Sequence, residues 1–249
     1  MKIAIIGGTG LVATELIRQA LTITEITSII VVARRPVQLD TDAPNTSKFR
    51  SVTLRDYEEF TDAVKAELSG VDVCIWTVAV TPFRLSKFDF VEVKRVCQDC
   101  TVAGLQAVSE VNHAAKPTAF IYMSAEGTPE DLTRKTFILG DYNLMRHTPQ
   151  QGRTEKIVQE FGQEHEQVNT YIVRPGMVWS HITFWRGVQA NLFRVTNLVT
   201  RAIPNIGRNE LAAAILDQAV NGFEKNQKML SNADLVRIGT NAVARRAKA

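Results

Sequence analysis

Residues 1–21 read MKIAIIGGTGLVATELIRQAL. Ile3 to Ile6 is an apolar run too short for a helix and closed by glycine, which predicts a buried strand. Gly7, Gly8 and Gly10 break the run, and behind them Leu11, Val12, Leu16, Ile17, Ala20 and Leu21 recur at helical spacing. Strand, tight glycine turn and helix, in that order, are the context a dinucleotide-binding fingerprint requires, here spaced Gly7-x-x-Gly10-x-x-Ala13. The glycines let the backbone turn and approach a pyrophosphate closely. Helix amides without an intrahelical acceptor then face the phosphates, and the helix dipole favours the negative charge. Gly7, Thr9, Gly10, Leu11 and Val12 are accordingly candidate cofactor contacts.

The next apolar run, Ser28 to Ala33, predicts a second buried strand that Pro36 stops. In a dinucleotide fold the residues after this strand meet the adenosine ribose. An acid there binds the 2′-hydroxyl of NAD, and arginine accommodates the 2′-phosphate of NADP. The sequence has Arg34 and Arg35 and no acid at that place, so NADP(H) is the expected cofactor. Residues 38–50 are polar and read as a loop; Phe49 to Leu54 predicts a third strand. Asp56 follows it, where such folds contact the adenine, although a helix-cap role suits it equally. Asp62 to Leu68 predicts a short helix, and Val71 to Val80 a near-continuously apolar fourth strand, as in a parallel sheet covered on both faces. Its end, Thr77, Val78 and Ala79, is expected to line the cofactor cleft.

Beyond it, Phe88 to Val108 reads as a helix, Ala119 to Met123 as a strand ending at Ser124, Arg153 to Glu164 as a helix and Val168 to Val173 as a strand closed by Arg174-Pro175-Gly176. Phe184 to Ile203 and Asn209 to Glu224 read as helices, and Leu235 to Ile238 as a short strand. Thr128 to Gln151 is polar and irregular and reads as a lid or a loop. The alternation of strands and helices predicts an α/β fold, a doubly wound parallel sheet in a single domain, with residues 177–249 contributing a small C-terminal substrate-side lobe.

Composition limits the function classes. The chain has 249 residues, a net charge of +3 and 45% hydrophobic residues. That charge is too small to argue for nucleic acid, and no run nears the roughly eighteen apolar residues of a membrane span. The N-terminus enters the first strand directly, so neither a signal nor a transit peptide is expected. The three cysteines, Cys74, Cys97 and Cys100, are an odd set that fits a reducing cytosol, and a cytoplasmic protein is expected. Cys97-x-x-Cys100 lies in a helical pattern with no second pair and is assigned to packing. Nothing in the sequence sets the oligomeric state.

With these residues in place, the sequence resembles the atypical or extended short-chain dehydrogenase/reductases, in particular the NAD(P)-binding Rossmann group related to the nitrogen-metabolite regulators. The resemblance rests on GGTGLVA at Gly7 to Ala13, VVARRP at Val31 to Pro36, FIYMSA at Phe120 to Ala125 and IVRPGMV at Ile172 to Val178, and runs over nearly the whole chain. It implies that Ser124 polarises a substrate carbonyl and that Pro175 and Gly176 border the cofactor. It also implies a Tyr-x-x-x-Lys pair on the next helix, and here the sequence departs. In the fitting segment, His147 to Glu155, Gly152 and Glu155 keep the family spacing, but His147 stands for the tyrosine and Gln151 for the lysine. Tyr142-x-x-x-Arg146 is the alternative pair, in a stretch read as loop.

Hydride transfer to a carbonyl builds negative charge on oxygen, so a donor is required there. Histidine can supply the proton, its unperturbed pKa of about 6.5 lying close to working pH. Ser124, His147 and Tyr142 are therefore the candidate catalytic residues, with His181 a further candidate; His113 and His165 are assigned no role. Phe184, Trp185, Leu192 and Phe193 are expected to line a pocket for a small hydrophobic substrate. The expected function is an NADPH-dependent reductase of a carbonyl or enone. The alternatives on the same cleft are a non-redox isomerase, epimerase or cyclase, and an NADP-binding sensor.

Overall fold

In the computed structural model residues 1–80, 88–112, 116–128, 142–179, 204–224 and 227–248 are described, with residues 142–151 described by their backbone. Seven strands form one wholly parallel sheet in the order β3-β2-β1-β4-β5-β6-β9. They are β1 (Lys2–Ile6), β2 (Ser28–Ala33), β3 (Phe49–Thr53), β4 (Val73–Trp76), β5 (Thr118–Met123), β6 (Val168–Val173) and β9 (Met229–Leu230). The pair β7 (Met177–Trp179) and β8 (Asn205–Gly207) forms a second, two-stranded sheet. The helices are α1 (Leu11–Ala20), α2 (Asp62–Leu68), α3 (Phe90–Lys94), α4 (Cys100–Val111), α5 (Tyr142–Glu164), α6 (Arg208–Asn221) and α7 (Asn232–Arg246).

The apolar strands are buried on both faces, which is what a parallel sheet between two helical layers requires. One face packs Ile3, Ile5, Val31 and Ile75 against α1, α6 and α7. The other packs Ala4, Ile6, Val32 and Trp76 against α2, α4 and α5. Trp76 is fully buried, stacks on Phe120 at 5.9 Å and meets Tyr57 edge-on at 6.1 Å; each such pair contributes about 0.5–1.5 kcal/mol beyond area burial. The layer of α1, α6 and α7 is also joined by polar groups. Buried Glu15 pairs with Arg18 and Arg208, and Gln19 donates to Asn209 and accepts from Arg246. Among the described residues no helix is long and apolar enough to cross a membrane.

The strand order reverses between β1 and β4, so β1 has neighbours reached by crossovers in opposite directions. A crevice at such a switch point, outside the carboxyl ends of the strands, is where open α/β sheets bind ligands. Because all seven strands are parallel, the segments after β1, β2, β3, β4, β5 and β6 all emerge on this one edge.

Several elements differ from the sequence reading. The fourth strand ends at Trp76, so Thr77 to Ala79 is already loop. The helix read over Phe88 to Val108 starts at Phe90, ends at Val111 and carries a π turn at Arg95–Asp99, where the Thr101 hydroxyl donates to the Cys97 carbonyl at 2.9 Å. α5 begins at Tyr142, not Arg153, and runs through Pro149, so residues 142–151 are helix where an irregular lid or loop was expected. Leu235 to Ile238 is not a strand but lies in α7. Ser231 accepts from the Asp234 amide and Asp234 caps Ser231 in return, a capping box that starts a helix there. The last strand of the sheet is instead Met229–Leu230. Of the expected C-terminal lobe, α6, β9 and α7 join the central layers; residues 180–203 lie outside the described residues.

Candidate functional site

The glycine turn follows β1 directly. Gly7 has φ +96°, and a Cβ there would stand 2.6 Å from Thr77 Oγ1 and 3.2 Å from Val78 Cγ2, so the position excludes any side chain. The Gly7 and Gly8 amides donate to the Val32 carbonyl at 2.9 and 3.2 Å, and the Gly10 amide to the Gly7 carbonyl at 2.9 Å. Gly10 caps α1 with extended backbone and no side-chain bond, and its carbonyl accepts the first helical bond, from Thr14 at 3.0 Å. The amides of Leu11, Val12 and Ala13 therefore have no acceptor among the described residues, and no acid sits in the first turn of α1. Thr9 is exposed at the tip of the turn. A backbone cradle with no side chain in it, facing unpaired helix amides, fits a pyrophosphate.

The segments after β4 and β2 lie on either side of this turn. Thr77 donates from its hydroxyl to the Ile6 carbonyl at 2.7 Å, tying the end of β4 to the glycine turn; Val78 is buried beside it and Ala79 is exposed. The arginine turn flanks the glycine turn on the other side. A Cβ at Gly8 would collide with Val31 Cγ1 at 2.2 Å and lie 3.3 Å from Val37, so Gly8 marks the close approach of the glycine turn to β2 and the turn that follows it. Arg34 and Arg35 are exposed there, and no ion pair engages either among the described residues. Asp56 has partners of its own: it accepts from the Glu58 amide at 3.0 Å and pairs with Arg95 at 3.2 Å. The Glu58 amide, with the guanidinium groups of Arg95 and Arg34 assisting, holds its carboxyl below the ordinary range.

Ser124 is buried at the end of β5. Its amide donates to the Val173 carbonyl at 2.9 Å, and its hydroxyl lies 3.4 Å from that of Thr128. Thr128 donates to the Ala125 carbonyl at 2.7 Å, so its proton is engaged, and among the described residues the Ser124 proton faces only this long contact. Such a hydroxyl can turn to a substrate oxygen. Thr128 was not singled out by the sequence, where nothing distinguishes it from a loop threonine. Tyr142 and His147 lie on the first turns of α5, and their side chains are outside the described residues, as are His113, His181, Phe184, Trp185, Leu192 and Phe193. Tyr122 is not an alternative proton source: it is buried toward α5, burial pushes its phenol far up, and it bonds with Thr154.

The second half of the Gly152-x-x-Glu155 spacing has a visible purpose. Glu155 takes Arg174 in a two-pronged pair, Nε to Oε1 at 3.0 Å and Nη2 to Oε2 at 2.6 Å, both side chains largely buried. This pair, unforeseen from the sequence because its partners are nineteen residues apart, fixes α5 to the end of β6. Gly176 is held by structural contacts: its amide donates to Asn232 Oδ1 at 2.7 Å, and a Cβ would collide with the Pro204 carbonyl. Pro175 accepts from the Glu126 amide at 2.8 Å, which joins the loops after β5 and β6.

The cysteines are buried and free. Burial pushes the Cys100 thiol up to about 12, far from thiolate chemistry. Cys100, Asp56 and Glu58 bring ligand-type atoms within 4.8 Å of one another, but Arg95 is ion-paired to both carboxylates and supplies the cation. His165 stacks on Phe161 at 3.8 Å and bonds its carbonyl, a packing role.

No protein-family model matches the sequence, and no curated protein does. Solved structures share the fold at low identity. Vestitone reductase from alfalfa superposes with a TM-score of 0.63 at 14% identity, over 92% of this chain and 76% of that one. A short-chain dehydrogenase/reductase from Saccharomyces cerevisiae gives 0.63 and 14%, over 96% and 99%. The Bordetella bronchiseptica enzyme WbmF in complex with NAD+ gives 0.60 and 15%, over 98% and 77%. With the glycine turn at the switch point of a parallel 3-2-1-4-5-6 sheet extended by one strand, the chain has a Rossmann fold, which it shares with these solved structures.

Proposed function

We propose that the chain is an NADP(H)-dependent oxidoreductase that reduces a carbonyl or enone of a small hydrophobic molecule. The observation that carries the reading is the joining of two turns: an open backbone cradle with unpaired helix amides, and beside it two exposed arginines that no ion pair engages among the described residues. The cradle suits a pyrophosphate and the arginines a 2′-phosphate. Similar structures that carry NAD, WbmF among them, support a nicotinamide dinucleotide as the class of ligand. The bound cofactor would supply the hydride. Around it Gly7, Thr9, Gly10, Leu11 and Val12 hold the phosphates, Arg34 and Arg35 the ribose phosphate, and Thr77, Val78 and Ala79 the adjoining wall. Ser124 donates to the substrate oxygen as charge builds on it, and His147 or Tyr142 on α5 supplies the proton.

Replacing Arg34 and Arg35 together by alanine is expected to weaken NADPH by about 100-fold and NADH by less than about threefold, since charge-assisted bidentate bonds to phosphate are lost only in the first case. Equal losses would remove the 2′-phosphate assignment. Ser124→Ala is expected to leave NADPH affinity unchanged and to lower turnover about 10²–10³-fold on any ketone or enone the wild type reduces, the usual effect of deleting an oxyanion donor. Turnover is read from NADPH absorbance across a panel of hydrophobic ketones and enones.

The segment His147 to Gln151, without the tyrosine and lysine of the resembled family, favours a second reading on the same cleft: an isomerase or a sensor. An isomerised product with no change in NADPH absorbance would support the isomerase. Cofactor binding that discriminates NADPH from NADP, with no turnover and no effect of Ser124→Ala, would support the sensor.

A further inference from the structure

Arg95 opens the π turn between α3 and α4 and gathers the acids of one corner. Its Nη1 lies 3.2 Å from both Asp56 oxygens and 2.8 Å from Glu58 Oε2, while Nε and Nη2 each meet Glu92 at 3.0 Å. Asp56 and Glu58 follow β3, the strand beside β2. Ala33 is in register with Thr53, and the Leu54 amide donates to the Ala33 carbonyl at 2.9 Å. The chain thus leaves β3 into the corner where Arg34 leaves β2. Without Arg95 that corner would lose the cation that pairs Asp56 and Glu58, and the charge of Arg34 already reaches Asp56. A carboxylate facing a phosphate dianion opposes its binding, whereas it can accept a hydrogen bond from a ribose hydroxyl.

We propose that Arg95 is a specificity-determining residue of the cofactor site that acts through these acids: by holding Asp56 and Glu58 it keeps their charge from opposing the 2′-phosphate that Arg34 and Arg35 receive. The proposal rests on the NADP(H) reading. Arg95 is a positioning residue here; it touches the carboxylates and not the cofactor. Its pairs are about one-third exposed, so the effect is screened by salt.

The test measures dissociation constants of NADPH and NADH by tryptophan fluorescence for the wild type, Arg95→Gln, Glu58→Gln and the double variant, each with its melting temperature. At low salt Arg95→Gln is expected to lower the NADPH-over-NADH preference about fivefold, through weaker NADPH binding and with NADH affinity no lower than in the wild type. Glu58→Gln removes one of the opposing charges and is expected to raise the preference about twofold, and the double variant to fall between. Raising salt to about 0.5 M should shrink all these differences. A purely structural role would move melting temperature and both affinities together, and that result would overturn the proposal, as would no change in preference for either single variant. If Arg95→Gln does not fold, Glu58→Gln decides alone: no gain toward NADPH overturns it. A wild type that binds both cofactors equally would instead overturn the NADP(H) reading, before any variant is compared.

Discussion

Gly7→Val should both unfold the protein more easily and remove cofactor binding. The left-handed backbone at φ +96° costs a side chain about 1–2 kcal/mol. The new Cβ also meets Thr77 Oγ1 at 2.6 Å and Val78 at 3.2 Å, and overpacking of this kind costs about 1–3 kcal/mol. For a chain of this length the sum lowers the melting temperature by about 10 °C. Any relaxation pushes the turn away from the end of β4 and spoils the aim of the Leu11, Val12 and Ala13 amides. NADPH affinity should therefore fall at least about 100-fold, which is about 2.7 kcal/mol. Gly10→Ala is the internal control for stability. Gly10 has an ordinary φ of −75°, and its nearest non-bonded atom to a Cβ is the Gly7 carbonyl oxygen at 3.3 Å. Its melting temperature should stay within about 3 °C of the wild type. Equal destabilisation by the two substitutions would mean that the turn is not held against Thr77 as described.

The second large effect concerns Glu155 and Arg174. Removing Arg174 takes the paired cation from the buried Glu155 carboxylate, and removing the Glu155 charge breaks the fork from the other side; breaking a buried pair in this way costs about 3–5 kcal/mol. Glu155→Gln and Arg174→Met should each lower the melting temperature by about 10 °C or more. The pair Glu155→Leu with Arg174→Met removes both charges and should be clearly more stable than either single variant, because an apolar replacement of a whole buried pair is close to neutral. Denaturant unfolding of the three variants measures this coupling directly. Additive losses would show that the two side chains do not depend on each other.

Much of the candidate site's placement could be read from the sequence because a parallel sheet brings its residues to one edge without further information. Once β1 to β6 are recognised as strands of one direction, the residues after each must share an edge, and Gly7, Arg34, Thr77, Ser124 and Pro175 do. Apolar continuity in SIIVVA and VDVCIW carries that recognition. The reading fails where local pattern and tertiary context diverge. Leu235 to Ile238 is four residues of strand-like composition, yet the capping box at Ser231 and Asp234 starts a helix ahead of it. Pro149 and a run of polar residues argue against helix over residues 142–152, yet α5 runs through them. Met229–Leu230 is too short to show any period and is a strand because β6 offers it an edge. The fork between Glu155 and Arg174 and the pairs of Arg95 with Asp56 and Glu58 join residues distant in sequence, and no spacing rule reaches them.

The central claim is that the glycine and arginine turns together form an NADP(H) site. The most direct test is a titration of the intact protein with NADPH, NADP and NADH in turn, followed by tryptophan fluorescence, which reports on Trp76 at the carboxyl edge of β4 among others. The account predicts that NADPH and NADP both bind and that NADPH binds at least about tenfold more tightly than NADH, a difference of about 1.4 kcal/mol. Binding of none of the three would contradict the cradle itself, and NADH binding as tight as NADPH would contradict the role given to Arg34 and Arg35.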